Sequence, residues 1–295
     1  MISTRKSPDA EEVKFSAAHI LFVEGESEES IDPCVLGRLL DDNITVVPLG
    51  PSTHIRSAAQ SLHRYHSTYY FLIDRDHFND EFVEQCWNDF PNPEKYNLLI
   101  WRYRELENYF LEPEYLGRSR HLTISQEQLK EEILRVVNQR LLMEISNLVI
   151  ISLREDLKKK WIEIFTNPDE FRDKDESIRI LTEKIHSTDF AAKVSKHLKE
   201  HAIQSRFEEF YRKITNNADS VTFENRDWLK YVKGKKVLKT IIGSPSIFVV
   251  KDRRGNTITG NRKLNIIVEE LVMNDEIPQP KDFIALKAII EDKIS

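Results

Sequence analysis

HILFVEG (residues 19–25) opens a regular alternation. A helix-like run near 29–42 follows it, then ITVVPLG (44–50), a second helical run near 53–65, STYYFLID (67–74), a third near 80–88, and YNLLIWRY (96–103). Short β-branched and aromatic runs separated by helices are the pattern of βαβ units, in which crossover helices join parallel strands. Each of the four runs is almost continuously apolar, as happens when helices cover both faces of a sheet, so all four are expected to be central strands. The expected class is α/β, a parallel sheet flanked by helices, with a large and mainly helical region appended.

That region starts after ENYFLEPEYLG (107–117), and 125–215 reads as charged amphipathic helices, the longest within ISQEQLKEEILRVVNQRLLMEISNLVIISLREDLKKKW (124–161). Ser125 and Gln128 form a capping-box pair at its start. A turn-like break at 216–220 precedes FENRDWLKYVKGKKVLKTIIG (223–243), expected as one further helix. The segment around Arg254-Gly255-Asn256 reads as a hairpin or as a loop between helices. LNIIVEELV (264–272) and DFIALKAIIEDKI (282–294) are expected helices separated by IPQP. The organisation expected is a tail at 1–17, an α/β core at 18–122, a helical insertion at 123–220 and a C-terminal part at 221–295 that completes the core.

The composition, 40% hydrophobic and 31% charged, is ordinary for a globular chain. A formal net charge of −6 gives no general pull on nucleic acid, so such binding would rest on local clusters of Lys and Arg. The first residues hold no apolar leader and LVIISL (148–153) is too short to span a bilayer, so a cytoplasmic protein without membrane contact is expected. Cys34 and Cys86 have no Cys or His partners at zinc spacing and read as core thiols. Met143, Trp161, Phe165 and Phe171 read as core or interface residues.

Glu24 closes the first strand, and Asp74 and Asp76 close the third. Ligands of open α/β sheets collect beyond the carboxyl ends of strands, where acids distant in sequence meet. On an extended backbone Asp74 and Asp76 share a face, as do Glu105 and Glu107. Mg²⁺ takes oxygen ligands and keeps several waters, so carboxylates suit it better than His or Cys. A lone Asp-x-Asp is more often a pair of surface acids. The set of FVEG, LIDRDH and RELENY on one sheet edge points instead to a metal site. His77, beside that set, reads as a supporting or surface residue.

This constellation resembles the TOPRIM domain, in the version carried by OLD-like nucleases and related phage-defence effectors. Residues 18–116 carry the resemblance, in ILFVEGESEE, FLIDRDH and YRELENYFLEPE. It implies a TOPRIM-like Rossmannoid core and a nuclease in which Glu24, Asp74 and Asp76 hold one or two Mg²⁺ or Mn²⁺ ions. It implies Glu28 and Glu107 as further ligands, with Glu105 and Asn108 in support. Glu26 falls where the family varies, and is either a catalytic carboxylate or a solvent-facing acid. Lys235, in the Lys233-Gly234-Lys235-Lys236 step, is implied as a catalytic cation near the metal, although a lysine run alone usually marks a solvated helix face.

Arg75, Arg102, Arg104, Lys233 and Lys236 are the expected nucleic-acid contacts, positioning phosphates without reading bases. The basic loop KDRRGNTITGNRK (251–263) is a second candidate, for nucleic acid or a partner protein. The middle helices are similar to those of PARIS-type defence effectors, which implies a toxic protein restrained by an ABC-class ATPase, dimeric when released, and cutting host tRNA. The sequence has no Walker A pattern, so that ATPase would act in trans. The alternatives are a DNA-nicking OLD-like nuclease, a haloacid-dehalogenase-like phosphatase, or a non-catalytic module with an acidic edge. The phosphatases usually carry Asp-x-Asp on their first strand, followed by Thr or Val and not by a residue such as His77.

Overall fold

The computed structural model describes residues 19–40, 44–158 and 195–294, together with Arg179 and Glu183. The tail at 1–17 and Trp161, Phe165 and Phe171 lie outside the described residues. The chain divides into two compact units, Met1–Val137 with Leu229–Ser295, and Asn138–Trp228. The insertion expected at 123–220 overlaps the second unit, whose edges fall instead at Asn138 and Trp228.

In the first unit, β1 (Ile20–Val23), β2 (Thr45–Pro48), β3 (Tyr69–Ile73) and β4 (Leu98–Ile100) form one parallel sheet in the order β2-β1-β3-β4. The crossovers are α1 (Ile31–Leu39), α2 (Ser52–Leu62) and α3 (Asp80–Asp89). Every residue of β3 is buried, and Leu21, Phe22 and Val23 of β1 are too. Each such side chain contributes roughly 1.5–3 kcal/mol on leaving water. The expectation of four central strands holds only for β1 and β3. β2 is an edge strand, with Thr45 exposed and the rest half-buried, and an edge tolerates Pro48 because a missing N–H costs it no ladder bond.

The sheet order sets the site. From β1 the chain crosses to β2 on one side, then returns to place β3 on the other side of β1. The strand order therefore reverses between β1 and β3, and such a switch point leaves a crevice at the carboxyl ends of the two strands. Asn79 starts α3 by accepting the Phe82 N–H at 2.8 Å, which satisfies one of the donors a helix start leaves open.

Helix α4 (Gln126–Lys158) begins with the expected box: Ser125 N–H donates to Gln128 Oε1 at 3.0 Å, and Gln128 N–H to Ser125 Oγ at 3.2 Å. Its span Gln126–Asp156 is long and apolar enough to cross a membrane by length and composition, which the short LVIISL run did not suggest. Yet Leu129, Ile133, Val136, Val137, Leu141 and Ile145 are all buried in the protein at spacings of three and four. Glu144, shut off from solvent, pairs with Arg140 at 2.8 Å. These apolar residues form the buried side of the helix, while its Leu142 and Ile150 remain exposed. Met143 falls on the other face and is 48% exposed, so it is not a core residue.

In the second unit α5 (Glu200–Thr215) stops at Asn216, whose φ of 53° is left-handed. The segment 223–243 is not one helix. Asp227–Lys230 forms a 3-10 turn, and α6 (Gly234–Gly243) starts at the glycine of the Lys-Gly-Lys step. Back in the first unit, β5 (Val250–Lys251) and β6 (Thr257–Ile258) make the hairpin, with Gly255 at φ +85°. Helices α7 (Gly260–Met273) and α8 (Lys281–Ile294) follow as expected.

Candidate metal-binding active site

β1 and β3 are paired in register, Phe22 opposite Phe71, so Glu24 and Asp74 emerge side by side just past the strand ends. Asp74 N–H donates to Glu24 Oε1 at 3.0 Å. The chain then turns sharply at Gly25, whose φ is +144° and where a Cβ would lie 2.9 Å from Ser30 Cβ. Only glycine fits that turn. Ser30 Oγ accepts from Glu26 N–H at 3.2 Å and Ser27 N–H at 3.3 Å, which closes the loop into α1.

Asp32, the second residue of α1, is 9% exposed. Side chains in a helix lean towards its N-terminus, which here adjoins the strand ends. The charges that act most strongly on Asp32 are those of Glu107, Glu24, Lys235 and Glu105. Sequence reading missed this residue, because the acids before it in GESEES drew the attention and IDPCVLGRL looked like an ordinary helix start.

Glu105 and Glu107 are not on an extended strand. Leu106–Leu111 is a 3-10 helix with Glu105 as its N-cap, and Asn108 closes a reciprocal box by accepting Glu105 N–H at 3.0 Å. Asn108 Nδ2 donates to Val232 O at 3.0 Å, and Glu105 Oε2 accepts Lys235 N–H at 2.8 Å. Helix α6 approaches so closely that a Cβ on Gly234 would lie 2.3 Å from Asn108 Oδ1. The glycine is what lets α6 come this close to Asn108, and Glu105 and Asn108 bind the backbone at and just before the start of that helix.

The electrostatics follow from crowding. Burial, with Asp76 and Glu105 adding repulsion, raises the Glu24 carboxyl to about 7 against the pull of the Asp74 N–H and Lys235. Burial and Glu105 raise Glu107 to about 7 as well. Asp32 and Asp74 are pushed well above the usual carboxylate range, first by burial and then by their acidic neighbours. Burial works against the Lys235 charge, but Glu107, Asp32, Glu105 and Asp74 together hold its proton more tightly than usual.

Two of these carboxyls carry buried oxygens with no hydrogen-bond partner, Asp74 Oδ1 and Glu107 Oε1. A hard divalent cation fits such a set by chemistry: oxygen donors, excess negative charge and orphaned lone pairs. Among the described residues no three acidic, imidazole or thiol groups are gathered as one ion's ligand set. Mg²⁺ does not require that, since it is usually bound through one or two carboxylates and keeps its waters.

The other expected residues fall outside this cluster. Asp76 is exposed, in a left-handed conformation at φ 47°, and accepts from Ser52 Oγ at 3.3 Å. It does not share a strand face with Asp74, although its charge reaches Glu24. Glu26 and Glu28 are exposed and are not among the charges acting most strongly on the buried acids. Lys233, the N-cap of α6, and Lys236 are exposed.

The three arginines are structural. Arg75 is 2% exposed, with Nε on Phe78 O at 3.1 Å, Nη1 on Arg102 O at 2.8 Å and an ion pair to Asp80. Arg104 is 3% exposed and donates to Tyr231 O. Arg102 lies over Trp87 and is divided between Glu84 at 2.7 Å and Asp282 at 2.7 Å. None of them offers a phosphate a set of open donors. Cys34 and Cys86 are free and half-buried, with thiols raised to about 12 and about 11, chiefly by burial.

No protein-family model matches the chain, and no curated protein matches it.

Proposed function

We propose that this protein is a metal-dependent phosphodiester hydrolase of the TOPRIM kind, a nuclease. The observation that carries the reading is the cluster of Glu24, Asp32, Asp74 and Glu107 at the switch point of the parallel sheet, with Lys235 the cation that acts on all four. Structural carboxylates are normally neutralised by arginine or by several backbone donors, whereas buried acids left crowded and partly unpartnered are typical of sites built to take a ligand.

Glu24, Asp74 and Glu107 would hold one or two Mg²⁺ or Mn²⁺ ions, with Asp32 beside them and Asp76 at the outer side. An ion held there would supply charge neutralisation at the phosphate and would acidify a water for attack near neutral pH. Lys235 places a fixed positive charge next to the same acids, where it stabilises charge developing on a phosphate oxygen. Glu105 and Asn108 hold the start of α6, and so Lys235, in place. On the resemblance, the substrate is host tRNA and the setting a phage-defence effector released, as a dimer, from an ATPase in trans.

The deciding experiment incubates the pure protein with supercoiled plasmid and, separately, with total tRNA, in Mg²⁺, Mn²⁺ or EDTA, beside Glu24→Ala and Asp74→Asn. Metal-dependent cleavage lost in both variants is expected. Cleavage in EDTA, or full activity in the variants, overturns the reading. Cleavage of plasmid and not of tRNA assigns the DNA-nicking alternative.

A further inference from the structure

Beside the carboxylate cluster lies a cleft of about 570 Å³. Glu107 and Lys235 line it, so it opens directly onto the site. Its cationic side is made by two helices. Lys235 and Lys239 stand one turn apart on α6 and therefore share a face, while Asn261, Arg262 and Asn265 come from the first turns of α7. Lys239, Asn261 and Arg262 are exposed.

Three helix starts meet at this cleft. Ser30 and Ile31 begin α1, Lys235 belongs to the first turn of α6, and Asn261 and Arg262 to that of α7. None of the three is capped by its own N-cap side chain, α6 and α7 carry no acid in their first turns, and of the α6 donors Lys235 N–H is already taken by Glu105 Oε2 at 2.8 Å. Helix starts present open N–H donors and the positive end of the dipole, which favour anions. Glu107, 3% exposed and with Oε1 unpartnered, lines the same cleft and calls for a cation beside it. An anion accompanied by a cation is what a metal-bound phosphate provides. Of the other acids on the rim, Glu269 accepts from the Cys34 thiol at 2.8 Å and reaches Arg38 at 3.9 Å, and Glu29 stands at the α1 edge.

We infer that this cleft seats the sugar-phosphate backbone of a nucleic-acid strand next to the scissile bond, with Lys239 and Arg262 contacting phosphates and Asn261 and Asn265 assisting. The inference rests on the nuclease reading and names where the polymer lies. It moves phosphate contact from Arg75, Arg102 and Arg104, which are tied up internally, to α6 and α7.

The test is fluorescence anisotropy with fluorescein-labelled single-stranded DNA and RNA of about 20 nucleotides, in Ca²⁺, between about 50 and 200 mM KCl. Each neutralised phosphate of a single strand contributes about 0.7 to the slope of log K against log salt, so Lys239→Ala/Arg262→Ala is expected to lower that slope by about 1.4. Arg262→Glu alone is expected to weaken binding at least as much as loss of its one contact. Both variants keep the wild-type melting temperature, since the side chains changed are exposed. The control is Arg64→Ala/Lys95→Ala, the same charge change at two exposed residues that precede β3 and β4 and do not line the cleft.

An unchanged slope in the cleft variant, or an equal fall in the control, overturns the inference. If metal-dependent cleavage persists with that result, the nuclease reading stands and the cleft assignment alone fails. If the slope falls as expected but no cleavage occurs under any metal, the cleft is a nucleic-acid site and the nuclease reading fails. Absence of any binding by the wild type overturns the inference outright.

Discussion

Glu107→Gln should make the metal-free protein more stable at pH 8, although it removes a residue of the candidate site. The folded Glu107 carboxyl holds its proton up to about pH 7, against 4.5 for the ordinary value taken for the unfolded chain. The stability that this proton supplies is complete below pH 4.5 and is lost as the pH rises through 7. The full loss is 7 − 4.5 = 2.5 units at about 1.36 kcal/mol each, or about 3 kcal/mol. Only about 1 kcal/mol of it has gone by pH 5.5. Glu107 is 3% exposed, so solvent screening hardly reduces the figure. A glutamine carries no charge but still loses hydration on burial, which leaves a net gain of about 2 kcal/mol at pH 8, or roughly 4–8 °C in Tm. The assay is thermal denaturation of both proteins in EDTA at pH 5.5 and pH 8, repeated with Mg²⁺ or Mn²⁺. The gain should be near zero at pH 5.5, and the metal should raise the wild-type Tm more than that of the variant, since binding to the folded state alone stabilises it. A variant that melts at or below wild type at pH 8, or a Tm difference equal at the two pH values, would refute the reasoning.

Other perturbations read different parts of the same construction. Gly234→Ala forces a Cβ to within 2.3 Å of Asn108 Oδ1, and should cost about 1–3 kcal/mol in urea denaturation together with most of the cleavage activity, because α6 must withdraw with Lys235. Asp282→Asn weakens the bonds it receives from Tyr109 Oη at 2.5 Å and Arg102 Nη1 at 2.7 Å, and should lower stability by about 2 kcal/mol, read by the same titration. Arg104→Ala should lose about 2–3 kcal/mol of stability while leaving the salt slope of oligonucleotide binding unchanged, which separates a structural arginine from a phosphate contact.

The strands were legible because their physics is local. Burial on two faces demands continuous apolar runs, and YYFLI at 69–73 is buried at every position. The β1-α1-β2 and β3 sequence then places Glu24 and Asp74 at one switch point by topology alone. What was illegible depends on partners distant in the chain. Arg75, Arg102 and Arg104 looked like a basic patch because a guanidinium reads the same whether its acceptor is a phosphate or the carbonyl of Tyr231. The start of α6 was hidden inside a helical pattern because the reason for Gly234, contact with Asn108, lies more than a hundred residues away.

The exchange of Glu28 for Asp32 shows how local geometry sorts acids that composition treats alike. With Glu24, EGESEESID places five acids in nine residues, of which Asp32 is buried, Glu24 half-buried and the other three exposed. Glu26, Glu28 and Glu29 belong to the turn that Gly25 and Ser30 close, and a turn at the sheet edge faces water. Asp32 belongs to the helix, and its Cα–Cβ bond leans back towards the N-terminus, over the ends of β1 and β3. The helix dipole favours a carboxylate there by about 0.3–1 kcal/mol, too little to offset burial among like charges. Asp32 therefore opposes the stability of the metal-free fold, as Asp74 and Glu107 do. On the proposed reading, a bound cation would relieve these acids together, which gives the metal-free cost of each a single reason.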